Sequence, residues 1–400
     1  MIQQISARNL VFPLLIPLIS VLLFACTAKK PLEPSTVNID QLKLPAEQRD
    51  ISEYIEDLYV IPLETHPQSL LGRLALVEQD ESGIFIVSGQ KEAVYHYSRE
   101  GRYLSSFSHN GKGPGEYLRI RNMRIVPGTE TLLISDVRLG KMFQYSYTGE
   151  FLKEFTLPQG SARFILLKNG NMALHIGRLV DPQEHKNGLY ELLILDPKGN
   201  IVQNYFPFEN RLYFEFSNPL TRPDVDGTCY YSKIFDYNLY RLLPDGKPEV
   251  FLRFDYGKQM ATIDDLTGPG MENLAELRKQ GKRWTIDDMI NTTDHLVLVN
   301  RKDQKTSLLV VNKKTLVITT FGTDSLSSPG NYFGFPIRFI RDSYKDQFYY
   351  VMEAIEVNEL IASLSDEQKR ILTRKIRGFK QLLDTGIEDN PVLVFFRFKN

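Results

Sequence analysis

The chain holds 400 residues, with 48 Lys and Arg against 49 Asp and Glu, a formal net charge of −1 and 42% hydrophobic residues. That balance fits an ordinary globular protein and speaks against nucleic acid as the main partner, which needs a concentrated basic surface. The only two cysteines, Cys26 and Cys229, cannot build a disulfide framework.

The first 25 residues read as an address rather than as fold. Arg8 supplies a positive start, and Leu10 to Phe24 is an apolar run interrupted by Pro13 and Pro17. A membrane-crossing helix needs about 20 apolar residues, so this shorter run predicts a secretory signal over 1–25. Its end, Leu23-Phe24-Ala25-Cys26, resembles the bacterial lipobox, in which the cysteine becomes the new N-terminus and carries lipid. Residues 26–50 are polar, contain Pro31, Pro34 and Pro45, and are expected to form a flexible tether. The expected location is the cell envelope, with the protein held by lipid on Cys26. The outer membrane is favoured over the inner, and the protein would face the periplasm or the surface.

From residue 51 to 400 the chain repeats. Gly83 to Tyr117 shows the unit: a strand at Ile84–Ser88, a second at Val94–Tyr97, a tight turn at Arg99-Glu100-Gly101 and a third strand at Arg102–Ser108. A glycine-rich exit follows, Gly111-Lys112-Gly113-Pro114-Gly115-Glu116-Tyr117. Matching turns end at Gly149, Gly199 and Gly246, each between two aromatic or aliphatic strands. A fifth unit over His295–Phe321 lacks the glycine and turns at Lys313-Lys314. A sixth begins at Phe335–Ile340, continues through Gln347–Met352 and resumes at Val392–Phe398. Four strands in a period of about 48 residues predict an all-β fold, a six-bladed β-propeller.

The sixth unit lacks an outer strand, and Asp57–Leu63 has no other partner. Residues 57–63 are therefore predicted to pair with 392–398 and close the ring, which removes exposed edges. Pro62 is tolerable on an outer strand. Two short helical insertions interrupt the repeat, at about 264–281 and 356–384. In the second, Ser365-Asp366-Glu367-Gln368 resembles a capping box. Leu372, Ile376, Phe379 and Leu383 follow helical spacing, and Gly386 suits the stop.

Three stretches carry a family resemblance. Ile61-Pro62-Leu63-Glu64-Thr65, Gly113-Pro114-Gly115-Glu116-Tyr117 and Asn390-Pro391-Val392-Leu393-Val394 together resemble the six-bladed β-propeller lipoproteins of Gram-negative bacteria. These are distantly similar to NHL-repeat propellers. The resemblance spans about residues 55–400 and implies the fold and an exported location, with no catalytic residues to carry over. Leu133-Ile134-Ser135-Asp136 resembles the strand-ending hydrophobic-Asp of NHL repeats, an Asp the other blades do not clearly keep.

In a propeller, the link from one blade's outer strand to the next blade's inner strand runs toward the central channel. Three such links carry Pro-Gly: Gly113-Pro114-Gly115, Gly268-Pro269-Gly270 and Pro329-Gly330-Asn331-Tyr332. They are expected to share one channel mouth. Lys112, Glu116, Tyr117, Arg119, Arg121 and Tyr332 are accordingly the candidate ligand-binding residues, because Tyr stacks on sugars or peptide side chains and Arg fixes carboxylates in bidentate fashion. The competing reading makes the Pro-Gly turns simple sharp crossings and leaves Arg119 and Arg121 on a solvated face. The six histidines lack metal-ligand spacing, and neither a nucleophile elbow nor a phosphate loop is present. No metal or cofactor is expected. Asp264-Asp265 and Asp287-Asp288 sit beside helix starts, a capping pattern, and Cys229 reads as a small buried residue. The sequence predicts a lipid-anchored envelope propeller that binds a glycan, a peptide or a partner protein without catalysis. Alternatives are a lyase or hydrolase acting on a glycan or peptide, and a scaffold whose helical insertions dock a membrane protein.

Overall fold

In the computed structural model, residues 35–38, 50–89, 91–158, 161–177, 190–208, 219–266, 271–286, 288–302, 305–322, 332–333, 335 and 340–400 are described. Two strands precede the first complete blade, β1 (Ser35–Asn38) and β2 (Ile55–Pro62). Blade I is β3 (Leu74–Gln79), β4 (Ile84–Ser88), β5 (Ala93–Tyr97) and β6 (Tyr103–Phe107), from the channel outward. Blade II is β7 (Asn122–Ile125), β8 (Thr131–Asp136), β9 (Lys141–Ser146) and β10 (Phe151–Thr156). Blade III is β11 (Ser161–Leu166), β12 (Met172–Ile176), β13 (Tyr190–Leu195) and β14 (Ile201–Pro207). Blade IV holds β15 (Cys229–Lys233), β16 (Asp236–Leu242) and β17 (Pro248–Asp255). Inside β15, the Thr221 N–H donates to Tyr230 O and the Ser232 N–H to Pro219 O, so 219–224 act as its innermost strand. Blade V is β18 (Met289–Asn291), β19 (His295–Lys302), β20 (Lys305–Asn312) and β21 (Ile318–Gly322). Blade VI is β22 (Asp342–Tyr344), β23 (Gln347–Met352), β24 (Val392–Phe398) and, outermost, β2.

The protein is a six-bladed β-propeller, and the predicted closure is present. β2 runs antiparallel to β24 from Ile55 opposite Phe398 to Pro62 opposite Val392. Every seam between neighbouring blades holds its own apolar cluster. Phe85 and Val87 meet Met123 and Phe143; Leu133 and Met142 meet Leu174 and Leu193; Ile165 and Ile194 meet Tyr231 and Leu242. Tyr230 and Leu252 meet Leu296 and Leu309; Val297 and Val310 meet Phe348 and Phe396; Tyr349 and Phe395 meet Ile86 and Tyr95. Because each sheet is covered on both faces, all five residues of β4 are buried and no clean alternation survives.

The periodic glycine has two reasons to be there. Gly101 (φ 87°) and Gly149 (φ 89°) occupy the left-handed region in the turn before their blade's outer strand. A Cβ on Gly101 would lie 2.0 Å from Pro62 O, and one on Gly149 2.6 Å from Phe107 Cβ, so each turn presses on the end of the preceding blade's outer strand. Blade V turns at Lys313-Lys314 instead, and Leu316 takes a φ of 57°.

Four details depart from the sequence reading. Ser35–Asn38, inside the stretch read as tether, forms a strand parallel to Leu252–Asp255 and covers the outer edge of blade IV. The inner strand of blade VI is Asp342–Tyr344, later than the predicted Phe335–Ile340, of which 336–339 lie outside the described residues. The first insertion, read as a single short helix, holds a separate 3-10 turn at Ile263–Asp265 and then α1 (Met271–Lys279), followed as expected by Gly281 (φ 68°). The second is three: α2 (Ala354–Ser363), α3 (Asp366–Lys375) and α4 (Phe379–Leu382), which ends before the predicted stop at Gly386. Ser365 caps α3 as expected, with Gln368 completing the box. The helical run breaks at Gly378 (φ 88°), where Arg377 O accepts the Val60 N–H at 3.0 Å and covers the free edge of β2. Leu372, Ile376, Phe379 and Leu382 are consumed in the blade V–VI cluster, so the insertion's apolar face belongs to the propeller. Among the described residues no helix is long and apolar enough to cross a membrane.

Candidate functional site

Inner strands pair on one side only, so their backbone groups on the other side point at the channel axis and need partners. Side chains from other blades supply them. Arg222 donates to Val77 O at 2.6 Å. Arg341 donates to Leu74 O and Ala75 O. Asn122 Nδ2 reaches Phe164 O at 3.0 Å, and Asn291 Nδ2 reaches Arg222 O at 3.1 Å.

The same arginine joins a charge quartet drawn from blades I, II, IV and VI. Glu78 Oε1 accepts from Arg124 Nη1 at 2.7 Å and from Arg222 Nη2 at 2.8 Å, while Arg222 Nε donates to Asp342 Oδ2 at 2.5 Å. Glu78 is 7% and Arg222 12% exposed at the side chain. Burial works against the Arg222 charge, and Asp342 and Glu78 more than offset it, so its pKa rises. Two positive and two negative charges cancel, and both carboxylates are committed to guanidinium groups. Beside them Lys313 Nζ binds Asp224 Oδ2 at 2.6 Å and Thr292 O at 2.6 Å.

At one mouth of the channel lie arginines of another kind. Arg73, Arg121 and Arg341 each stand one residue before the first cross-strand pair of an inner strand: Leu74–Ser88, Asn122–Ser135 and Asp342–Tyr349. The Arg121 N–H donates to Ser135 O and the Arg341 N–H to Tyr349 O, and because Glu78, Arg124 and Asp342 share one layer, Arg73, Arg121 and Arg341 stand at different depths along their strands. Their blades, VI, I and II, are consecutive, and all three residues are exposed. Glu353, which caps α2, lies in the field of Arg341 and Arg73. Partial burial and neighbouring Glu356 raise its pKa, with the arginines pulling the other way.

The predicted site residues divide. Tyr117 is 0% exposed; its hydroxyl donates to Glu92 O at 3.1 Å and its ring sits edge-on to Phe143 and Tyr145. Glu116 folds back on its own loop and accepts the Gly113 N–H at 2.8 Å. Tyr145 donates to Gly115 O at 2.6 Å. The Gly-Pro-Gly-Glu-Tyr element is therefore a self-closed crossing between blades I and II, which corrects the expectation of an open aromatic platform. Asp136, the NHL-like aspartate, is fully buried and accepts from the N–H groups of Leu118 and Arg119 at 2.6 and 2.9 Å, holding the end of that crossing. Tyr332 is 8% exposed, packs in the blade V–VI cluster and lies 4.4 Å under Lys375 Nζ. Lys112, Arg119 and Arg121 are exposed, and Arg121 stands directly before the inner strand β7. Gly268–Gly270 and Pro329–Asn331 lie outside the described residues. Arg73 and Arg341 escaped sequence reasoning. The signal was available: each precedes an inner strand as Arg121 does, but inner strands are short and partly polar.

A cleft of about 340 Å³ opens at the seam of blades VI and I, between Pro62–Thr65, Glu100–Arg102 and Asp384–Asn390. Asn390 Nδ2 donates to Glu64 O and Ser69 O, both at 2.8 Å, and its Oδ1 accepts the Leu71 N–H at 2.8 Å. The first and last of the family-like stretches thus meet in space as the clamp on the closure.

The family model described as "Domain of unknown function (DUF4934)" matches residues 34–397, nearly the whole chain. The chain belongs to the DUF4934 family. Among solved structures, this DUF4934 member resembles a Bacteroides fragilis protein described as a candidate exported protein, at 16% identity and a TM-score of 0.72, covering 92% of this chain and 100% of that one. At that identity the likeness shows fold alone. A Bacteroides vulgatus member of the DUF4221 family matches at 10% identity and a TM-score of 0.48, covering 86% of this chain and 98% of that one. Virginiamycin B lyase from Staphylococcus aureus matches at 12% identity and 0.39, covering 73% and 80%. Neither of these two bears on function. Among curated proteins none matches.

Proposed function

We propose that this DUF4934 propeller is an exported, lipid-anchored, non-catalytic binding protein of the cell envelope, and that its ligand enters at the arginine-bearing channel mouth. One observation carries the reading: the channel's own charges are mutually saturated, while Arg73 and Arg121 at the mouth have no ion-pair partner among the described residues. Acid–base catalysis requires a group free to trade protons, and Glu78 and Asp342 are both held by guanidinium groups. The address at 1–25, the lipobox ending at Cys26 and the description of the Bacteroides fragilis relative all support export.

A glycan and peptide binding screen on residues 27–400, with turnover measured on each hit, tests the function. Binding without turnover is expected, and turnover of a bound glycan or peptide would make the protein a lyase or hydrolase instead. For the anchor, Cys26→Ser is expected to release the protein from the membrane fraction or leave the signal uncut. Unchanged membrane partitioning with cleavage elsewhere would remove the lipid from the proposal.

A further inference from the structure

We infer that Ser35–Asn38 is a strap that docks the tether on the rim of blade IV. The docked chain leaves the propeller on the face opposite the arginine-bearing mouth, so the mouth points away from the membrane. This rests on the lipid-anchor reading above and adds an orientation to it.

Strand β1 is extra to the blade plan. Blade IV already has its four strands in residues 219–224, β15, β16 and β17, and these pair antiparallel, whereas β1 joins β17 in parallel. The ring does not require covered edges, because among the described residues β6, β10, β14 and β21 carry no strand on their outer side. The dock is nonetheless matched to its occupant. Phe251 is bulged out of the ladder with β16, so the regular edge begins at Leu252. β1 fills that edge from Ser35 opposite Leu252 to Asn38 opposite Asp255. Val37 packs against the blade IV–V cluster that holds Leu252 and Phe254, and Asn38 Nδ2 donates to Asp255 Oδ2 at 3.5 Å.

The direction of β1 sets the exit. Arg73 and Arg121 precede the inner strands β3 and β7, so the mouth lies where inner strands begin. Inner strands of a propeller all run one way along the channel. Three antiparallel steps outward make β17 run back toward the mouth. Being parallel to β17, β1 ends at the mouth face and begins, at Ser35, on the far one. Residues 27–34 then separate Cys26 from the dock, a reach of at most about 30 Å. With β1 released, residues 27–49 would be free, about 80 Å when extended, and the ring would lose its fixed orientation.

The test uses the mature, lipidated chain anchored in vesicles that carry an acceptor dye on their headgroups. A donor dye is attached at Arg138→Cys or at Thr148→Cys, exposed positions just before and just after β9, hence at the mouth face and the far face of blade II. Cys229 is buried and Cys26 is blocked by lipid, so neither competes for the label. Energy transfer is expected to be stronger from the Thr148 position than from the Arg138 position. Val37→Asp is expected to unprotect the amides of Thr36–Asn38 in hydrogen exchange and to abolish that difference, with the melting temperature close to that of the parent. Val37→Pro replaces it if the Asp leaves those amides protected. Equal transfer from the two positions, or a difference that survives release of β1, overturns the proposal while the anchor reading stands. Membrane partitioning that ignores Cys26→Ser removes the anchor reading and the orientation together.

Discussion

Arg124 and Arg222 inside the channel and Arg73 and Arg121 at its mouth are the same residue type a strand's length apart, with opposite physical lives. The inner pair is nearly buried and spends its donors on Glu78, Asp342 and a backbone carbonyl. The outer pair is exposed. An arginine that closes a buried network belongs to the fold, whereas an exposed one without an ion-pair partner is available to a ligand. Burial and partners separate the two, and residue type does not.

The comparison breaks most visibly at Arg222. Arg222→Ala leaves Asp342 without its guanidinium and Glu78 with Arg124 alone, and is expected to cost about 3–5 kcal/mol in urea unfolding. Replacing Glu78, Arg124, Arg222 and Asp342 together by apolar residues of similar volume is expected to cost far less, because no charge is left unpaired. A small loss for the single variant would place the quartet in the solvated class with the rim. Tyr117→Ala comes next, at about 3 kcal/mol for an emptied aromatic site. Arg121→Ala, four residues on, is expected to stay within about 0.5 kcal/mol. Differential scanning calorimetry on the pair reports both, and equal losses would erase the distinction between crossing and rim. Gly149→Ala should follow at roughly 1–3 kcal/mol, from left-handed strain and the contact with Phe107.

The smallest effect is with pH. Burial lowers the pKa of His295 and of half-buried His96 below 6.5. The unfolded chain therefore takes up protons that the folded one resists, so stability is full above 6.5 and declines as pH falls from there toward the folded values. The denaturation midpoint is expected to be lower at about pH 5.5 than at about pH 7.5, and His295→Gln should flatten that slope. A midpoint that does not fall would show that neither ring is held neutral.

The architecture was legible because outer strands and turns carry local signals. Gly101, Gly149, Gly199 and Gly246 mark the period, and Asp57–Leu63 declared itself by having no partner. The candidate site was less legible. Short inner strands such as Asn122–Ile125 and Asp342–Tyr344 have little apolar pattern, because polar side chains such as Asn122, Arg124 and Asp342 bond to other blades. Nothing local to Arg222 announces that Glu78 and Asp342 wait for it. The Gly-Pro-Gly-Glu-Tyr element misled for a related reason. Its residue types suit a binding loop, and only burial shows Tyr117 and Glu116 turned onto their own backbone.

Closure by β2 also sets an order of assembly. Ile55 finds Phe398 only after almost the whole chain exists, and loops of that length close last because their ends must be brought together from far apart. Until residues 392–398 are present, a partly made chain is an open arc with β2 idle and the seam of Tyr349 and Phe395 against Ile86 and Tyr95 unformed. A chain truncated anywhere short of that strand keeps two sticky rims and cannot become a ring. Pairing with β24 is the step that turns the arc into a ring.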